Sequence, residues 1–137
     1  NPNWCERVES GLISYGGDTD TMTNPYEVRM GKYVDLHAPD DTIGIQALRR
    51  IHAEGPKRHS LGIVLDAGEP VQPGFAWNPI FKDGRKVGDL TNCIFSIRLQ
   101  KNIGFALIER GCHVGDRVES LVAGQRQPGV LTELPFI

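Results

Sequence analysis

Pro79–Ser96, PIFKDGRKVGDLTNCIFS, is the stretch whose reading decides the fold. At its centre stands Asp83-Gly84, a dipeptide suited to a two-residue type I′ turn, in which both central residues need positive φ. Residues 79–87 therefore read as a hairpin, and Gly88 to Ser96 as a further strand. Moving outward, Ser60 to Asp66 (SLGIVLD) reads as an earlier strand and Asn102 to Glu109 (NIGFALIE) as a later one. Asp116 to Val122 and Gly129 to Leu134 form a last pair, joined through Gly124-Gln125-Arg126. Short strands at this spacing, separated by turn residues, argue for a small antiparallel barrel or a sandwich.

Before the strands the period changes. Gly44 to Glu54 (GIQALRRIHAE) is helical, with Ile45, Leu48 and Ile51 on one stripe, Thr42 as a cap and Gly55-Pro56 as the stop. A boundary near residue 43 follows, with residues 1–43 as the tail of one domain and 44–137 as a compact β-rich domain. Cys5 to Tyr15 (CERVESGLISY) reads as an amphipathic helix: Val8, Leu12 and Tyr15 share a stripe, Asn3 is the N-cap and Gly16-Gly17 the stop. So short a helix needs a surface to pack on. Asp18 to Asn24 (DTDTMTN) is polar and offers none, so the expectation is a partner surface preceding residue 1, or a homodimer that covers the stripe. The alternative is packing on the later strands of the same chain. Pro25 to Leu36 is partly extended, with a short strand expected over Tyr33 to Leu36.

Composition narrows the functional class. Of 137 residues, 39% are hydrophobic and 23% charged, the balance of a soluble globular protein. A formal charge of -2 gives no electrostatic reason to expect nucleic acid or an anionic membrane as partner. No apolar run approaches the roughly 20 residues of a membrane-spanning helix, and the opening residues lack a signal-peptide pattern. Cys5, Cys93 and Cys112 are odd in number and far apart, which suggests free buried thiols and a reduced, cytoplasmic setting. His37, His52, His59 and His113 pair with no cysteine at zinc-ligand spacing.

No catalytic constellation emerges from the motifs. Gly16-Gly17 follows a helix, the wrong context for a phosphate-binding loop. Asp18 and Asp20 lack the glycine and closing glutamate of a calcium loop and read as turn caps. His113 beside Cys112 reads as a turn. Arg7 has two readings: its fork can hold a carboxylate ligand, or it forms a surface ion pair with neighbouring acids.

Taken in order, several segments resemble one family. They are Glu6-Arg7-Val8-Glu9-Ser10-Gly11-Leu12; Ser14-Tyr15-Gly16 with Asp18; Asn24-Pro25 with Glu27; Ile43-Gly44 with Ala47-Leu48; and Gly55-Pro56-Lys57-Arg58. Leu61-Gly62-Ile63-Val64-Leu65, Val87-Gly88 with Leu90-Thr91, Lys101-Asn102-Ile103-Gly104 and Glu133-Leu134-Pro135-Phe136 continue the series. Their order and spacing resemble the glycine-cleavage T-protein (aminomethyltransferase) family over essentially the whole chain. Within it, Asn24-Pro25-Tyr26-Glu27, Tyr33-Val34 with Leu36, and Leu134-Pro135-Phe136-Ile137 are most similar to the dimethylsulfoniopropionate demethylase branch. The chain departs from the family at Lys32, where a tryptophan is usual, at Asn92-Cys93 in place of Ser-Gly, and at Ser96-Ile97 in place of Ser-Pro.

The resemblance implies a mainly β fold with short helices (α+β): a small antiparallel C-terminal barrel preceded by the helical tail of a folate-binding domain. It implies tetrahydrofolate as cofactor, a small one-carbon donor, and an N-terminal folate-binding segment of the parent protein as partner. Arg7 matches the family's arginine in the folate and substrate site, and Tyr15, Lys32 and Tyr33 are candidates for lining the same cleft. The aspartate that assists the chemistry has no counterpart in this chain, so no catalytic residue is assigned. Methyl transfer from dimethylsulfoniopropionate or a similar donor is the expected activity of the parent protein. Aminomethyl transfer in glycine cleavage and a non-catalytic barrel or interaction module are the alternatives.

Overall fold

The computed structural model describes residues 3–74 and 77–137. Its elements, in order, are α1 (Trp4–Glu9), a 3-10 turn (Gly31–Tyr33), α2 (Ile45–Glu54), β1 (Arg58–Leu65), β2 (Asn78–Lys82), β3 (Arg85–Ser96), β4 (Lys101–Glu109), β5 (Arg117–Val122) and β6 (Gln125–Thr132). The strands close a barrel in the order β1-β4-β3-β2-β5-β6, every pair antiparallel, with β6 returning to β1. This resolves the choice between barrel and sandwich.

The expected hairpin is present: Asp83 and Gly84 have φ 52° and 79° between Lys82 and Arg85. The β5–β6 connection is shorter than expected. Ala123 and Gly124 (φ 51° and 76°) make a two-residue turn, and β6 starts at Gln125. Pro128 hid this start, because proline interrupts a strand pattern. It is accommodated because β6 meets β1 only from Gly129 onward. Gly88–Ser96 is not a separate strand but the second half of β3, whose register against β4 shifts between Leu90 and Asn92.

Alternation fills the barrel. Leu61, Ile63 and Leu65 of β1, Leu90 and Cys93 of β3, Ala106 and Ile108 of β4 and Leu131 of β6 point inward to one core. A second cluster lies outside the barrel wall, where Ile94, Ile103 and Phe105 meet Val8 of α1 and Leu134 of the C-terminal tail. Here the expected length of the first helix is corrected. The first helix runs only from Trp4 to Glu9. Gly11 at φ 71° ends it with paired bonds, Leu12 N to Arg7 O and Gly11 N to Val8 O, which form a Schellman cap. Val8 of its apolar side packs on this chain's own β3 and β4, while Leu12 and Tyr15, the rest of the expected stripe, lie beyond the cap and stay exposed. Asn3 caps the helix as expected, accepting from Cys5 N at 3.0 Å.

Residues 33–36 are not a strand. Bonds from Tyr33 N to Met30 O and from Val34 N to Gly31 O close a 3-10 turn there and satisfy the groups a ladder would have used. In α2, Gly44 rather than Thr42 is the N-cap residue and no side chain caps it; Thr42 contributes its carbonyl to Ile45 N. Gly55 ends α2 as expected. The tail closes over the exterior: Phe136 N donates to Glu9 O at 3.0 Å, Arg29 Nη2 donates to Leu134 O at 2.7 Å, and the Phe136 ring lies where a Cβ on Gly62 would sit. Among the described residues, no helix is long and apolar enough to cross a membrane.

Candidate functional site

The strap that runs from α1 through residue 18 brings two carboxylates against the outside of the barrel. Both are buried, and each is satisfied by donors from a distant strand, as a buried charge requires. Asp18 Oδ2 accepts from Arg7 Nη1 and from Ser14 N, both at 2.8 Å, while Oδ1 accepts from Thr91 Oγ1 of β3 at 2.9 Å. Glu9 Oε1 accepts from Ser96 Oγ at 2.6 Å and from Cys5 Sγ at 3.3 Å, and Arg98 Nε stands 3.5 Å from Oε2. Burial alone would raise the Glu9 carboxyl. The Ser96 and Cys5 hydrogen bonds and the Arg98 charge outweigh it and hold Glu9 below the usual glutamate value.

The register shift in β3 makes this possible. Thr91 is the extra residue between Leu90, opposite Ala106, and Asn92, opposite Phe105. Such a bulge re-aims side chains. Thr91 and Asn92 therefore both reach the strap, Thr91 toward Asp18 and Asn92 Oδ1 toward Trp4 Nε1 at 3.3 Å. Trp77 adds a further tie, its Nε1 donating to Gly17 O at 2.7 Å.

Arg7 is the centre of the arrangement. Besides Asp18 it donates to Leu12 O at 2.7 Å, and its guanidinium carbon lies 5.6 Å from the Trp4 ring centre and 5.7 Å from that of Phe105. The surface ion pair weighed from the sequence is thus replaced by a nearly buried one, with side-chain exposures of 13% for Arg7 and 1% for Asp18. Lys32 and Tyr33 line a cleft of about 270 Å³ together with Leu12, Ile13, Arg29 and Met30. The Lys32 ammonium sits 5.0 Å above the Tyr33 ring. Through Leu12, the cleft abuts the residue that Arg7 holds. Tyr15 does not line it; its side chain is 86% exposed.

Glu9, Asp18, Thr91 and Asn92 were not singled out from the sequence as site residues. Asp18 read as a turn cap; Asp20 does act as one, accepting from Met22 N at 2.9 Å and from Thr23 Oγ1 at 2.8 Å. The acid-rich wording Glu6-Arg7-Val8-Glu9 was the available signal. His113 lies in a turn, its N donating to Asp116 Oδ2 at 3.0 Å. The three cysteines are free, and burial pushes the Cys93 thiol up to about 12. Among the described residues, no group of three His, Cys, Asp or Glu side chains is placed to hold a metal.

A closed six-stranded barrel wrapped on one side by an ion-paired strap is the class of domain that these residues build. Residues 58–137 match the model of the glycine cleavage T-protein C-terminal barrel domain. The chain belongs to the glycine cleavage T-protein family, of which it carries the C-terminal barrel. It is 38% identical over 109 residues to dimethylsulfoniopropionate demethylase DmdA of Ruegeria pomeroyi, across 80% of this chain and 29% of that protein. It is 33% identical to an aminomethyltransferase of Thermosipho melanesiensis, across 96% of this chain and 35% of that protein. The crystal structure of the glycine cleavage system aminomethyltransferase T from Bartonella henselae superposes with a TM-score of 0.80 at 20% identity, covering 97% of this chain and 37% of that one. The chain therefore spans about a third of the length of the relatives it matches.

Proposed function

We propose that this chain is the C-terminal portion of a tetrahydrofolate-dependent one-carbon transferase, and that the parent protein moves a methyl group from dimethylsulfoniopropionate or a similar small donor to tetrahydrofolate. The observation that carries the reading is the 38% identity to the demethylase, which extends over most of the chain. In this reading residues 1–43 are the tail of the folate-binding domain and residues 44–137 are the barrel domain. The rest of the folate-binding domain, lying N-terminal in the parent protein, is the partner.

The cleft lined by Leu12, whose carbonyl Arg7 holds, suits the ligand. Leu12 and Met30 offer apolar contact, Tyr33 offers an aromatic face, and Lys32 offers a cation for a carboxylate. Bound tetrahydrofolate would supply N5 as the methyl acceptor. A sulfonium carbon is already activated, so positioning carries much of the rate. In such a transfer the carbon–sulfur bond would break with its electron pair going to sulfur as the carbon bonds to nitrogen, and the proton displaced from nitrogen would pass to solvent. Arg7, held between Asp18 and Leu12 O, is the residue we assign to the folate and substrate site, with Lys32 and Tyr33 lining the cleft that Leu12 shares and Tyr15 lying outside it. No residue here is assigned to the chemical step itself.

The test is an assay of the longest natural reading frame that contains this chain, given dimethylsulfoniopropionate and tetrahydrofolate. Formation of methylthiopropionate and 5-methyltetrahydrofolate together supports the demethylase. Identity to an aminomethyltransferase over 96% of the chain favours aminomethyl transfer as the second reading. Turnover with an aminomethyl-loaded carrier protein and none with the sulfonium compound would establish that reading instead. Absence of tetrahydrofolate binding would overturn both.

A further inference from the structure

We propose that Thr91, the extra residue of the β3 bulge, is a positioning residue that sets the orientation of the Arg7 guanidinium through Asp18, and so sets affinity for tetrahydrofolate. The inference rests on the folate-binding reading of Arg7.

Three observations converge. Asp18 links the barrel wall to Arg7 by hydrogen bonds: Oδ1 receives the Thr91 hydroxyl at 2.9 Å, and Oδ2 receives both Arg7 Nη1 and Ser14 N at 2.8 Å. A carboxylate with Oδ1 fixed by a rigid strand and Oδ2 also held by Ser14 N has little freedom to rotate, so Thr91 and Ser14 N together set the plane offered to the arginine, and Thr91 is the side chain of the two that the barrel supplies. The second bulge residue acts in parallel: Asn92 Oδ1 accepts from Trp4 Nε1, and the Trp4 ring faces the same guanidinium at 5.6 Å. Finally, these anchors belong to the sheet, while the strap depends on its contacts with the sheet. Thr91 and Asn92 lie in the middle of a twelve-residue strand and are 1% and 0% exposed, whereas α1 has only six residues and too little intrinsic stability to hold an angle alone. Without the bulge, strand alternation would send either Thr91 or Asn92 to the barrel interior, and one of the two anchors would be lost.

A merely structural role for Thr91 would lower the melting temperature and leave ligand affinity alone. A positioning role moves affinity in protein that remains folded. The experiment uses the full-length parent protein, with tetrahydrofolate titrated by calorimetry or intrinsic fluorescence and the melting temperature recorded beside it. Thr91→Val, which keeps the shape and removes the hydroxyl, should raise the Kd for tetrahydrofolate about tenfold, the scale of one hydrogen bond to a charged group. Thr91→Ser should return it to within about twofold of the starting value. In an Arg7→Ala background, Thr91→Val should add no further loss, because the group it orients is gone.

A wild-type Kd in folded Thr91→Val, with Arg7→Ala still weakening binding, would overturn the positioning role and leave the folate reading intact. An unchanged Kd in Arg7→Ala would overturn the reading on which the proposal rests. Should Thr91→Val fail to fold, Thr91→Ala carries the same expectation and the same refutation.

Discussion

Arg7 and Asp18, both in the strap, stand 2.8 Å apart with 13% and 1% of their side chains exposed, and the barrel strand β3 completes the pair through Thr91. A pair this deep is costly to break from one side, because the remaining charge has nowhere to go. Asp18→Asn and Arg7→Met should each destabilise the protein by about 3–5 kcal/mol in urea unfolding. The double variant Arg7→Met/Asp18→Asn should recover much of that loss, because neither charge is left unpaired. A double variant as unstable as the sum of the singles would refute the ion-pair account.

Gly104 faces the carbonyl of Asn92 so closely that a Cβ there would lie 2.1 Å from it. The obstacle is backbone, at the bulge itself, and cannot swing aside. Gly104→Ala should therefore cost about 1–3 kcal/mol or more and loosen the strap with it. The check is a thermal melt alongside proteolysis of the α1 segment. A melting temperature equal to that of the unchanged protein would show that the strands separate there at little cost.

Glu9 gives the strap a pH dependence whose sign follows from its depressed pKa. A carboxyl held below its ordinary value, 4.5, stabilises the fold above that pH and loses its contribution as the pH falls through the folded value. The groups facing it are Ser96, Cys5 and Arg98. Glu9→Gln should be less stable than the unchanged protein at pH 7, and the gap should narrow below about pH 4.5. A constant gap from pH 7 to pH 3 would remove Glu9 from the acid transition.

Cys93 points into the barrel and its thiol is pushed up to about 12 by burial, so it stays protonated at neutral pH. The thiolate is the reactive form. Labelling of native protein with a thiol reagent at pH 8 should leave Cys93 unmodified until denaturant is added, as peptide mapping would show. Rapid native labelling of Cys93 would mean that the barrel opens far more often than its packing implies.

The barrel was legible because its signals are local. Asp83-Gly84 announces its own turn, and Ile103 to Ile108 announce a buried strand, each within a few residues. The strap was not, because its logic is long-range. Glu9 and Asp18 look like solvent-facing acids until Ser96 and Thr91 arrive, 87 and 73 residues later. No residue type marks the bulge that turns Thr91 and Asn92 to the same side. The length of the first helix was over-read for a related reason. Val8, Leu12 and Tyr15 keep helical spacing past Gly11, where the positive φ of a Schellman cap has already ended the helix.

Barrel closure has a kinetic consequence. β1 has no neighbour nearer in sequence than β4, and its other edge waits for β6. On a ribosome, its apolar run Leu61–Leu65 emerges well before either partner exists and must wait unpaired. Such a wait is slow and exposes a strand that can associate with other nascent chains. The last strand made is the one that ends this exposure. Synthesis of this region is thus a race between completing β6 and losing β1 to aggregation.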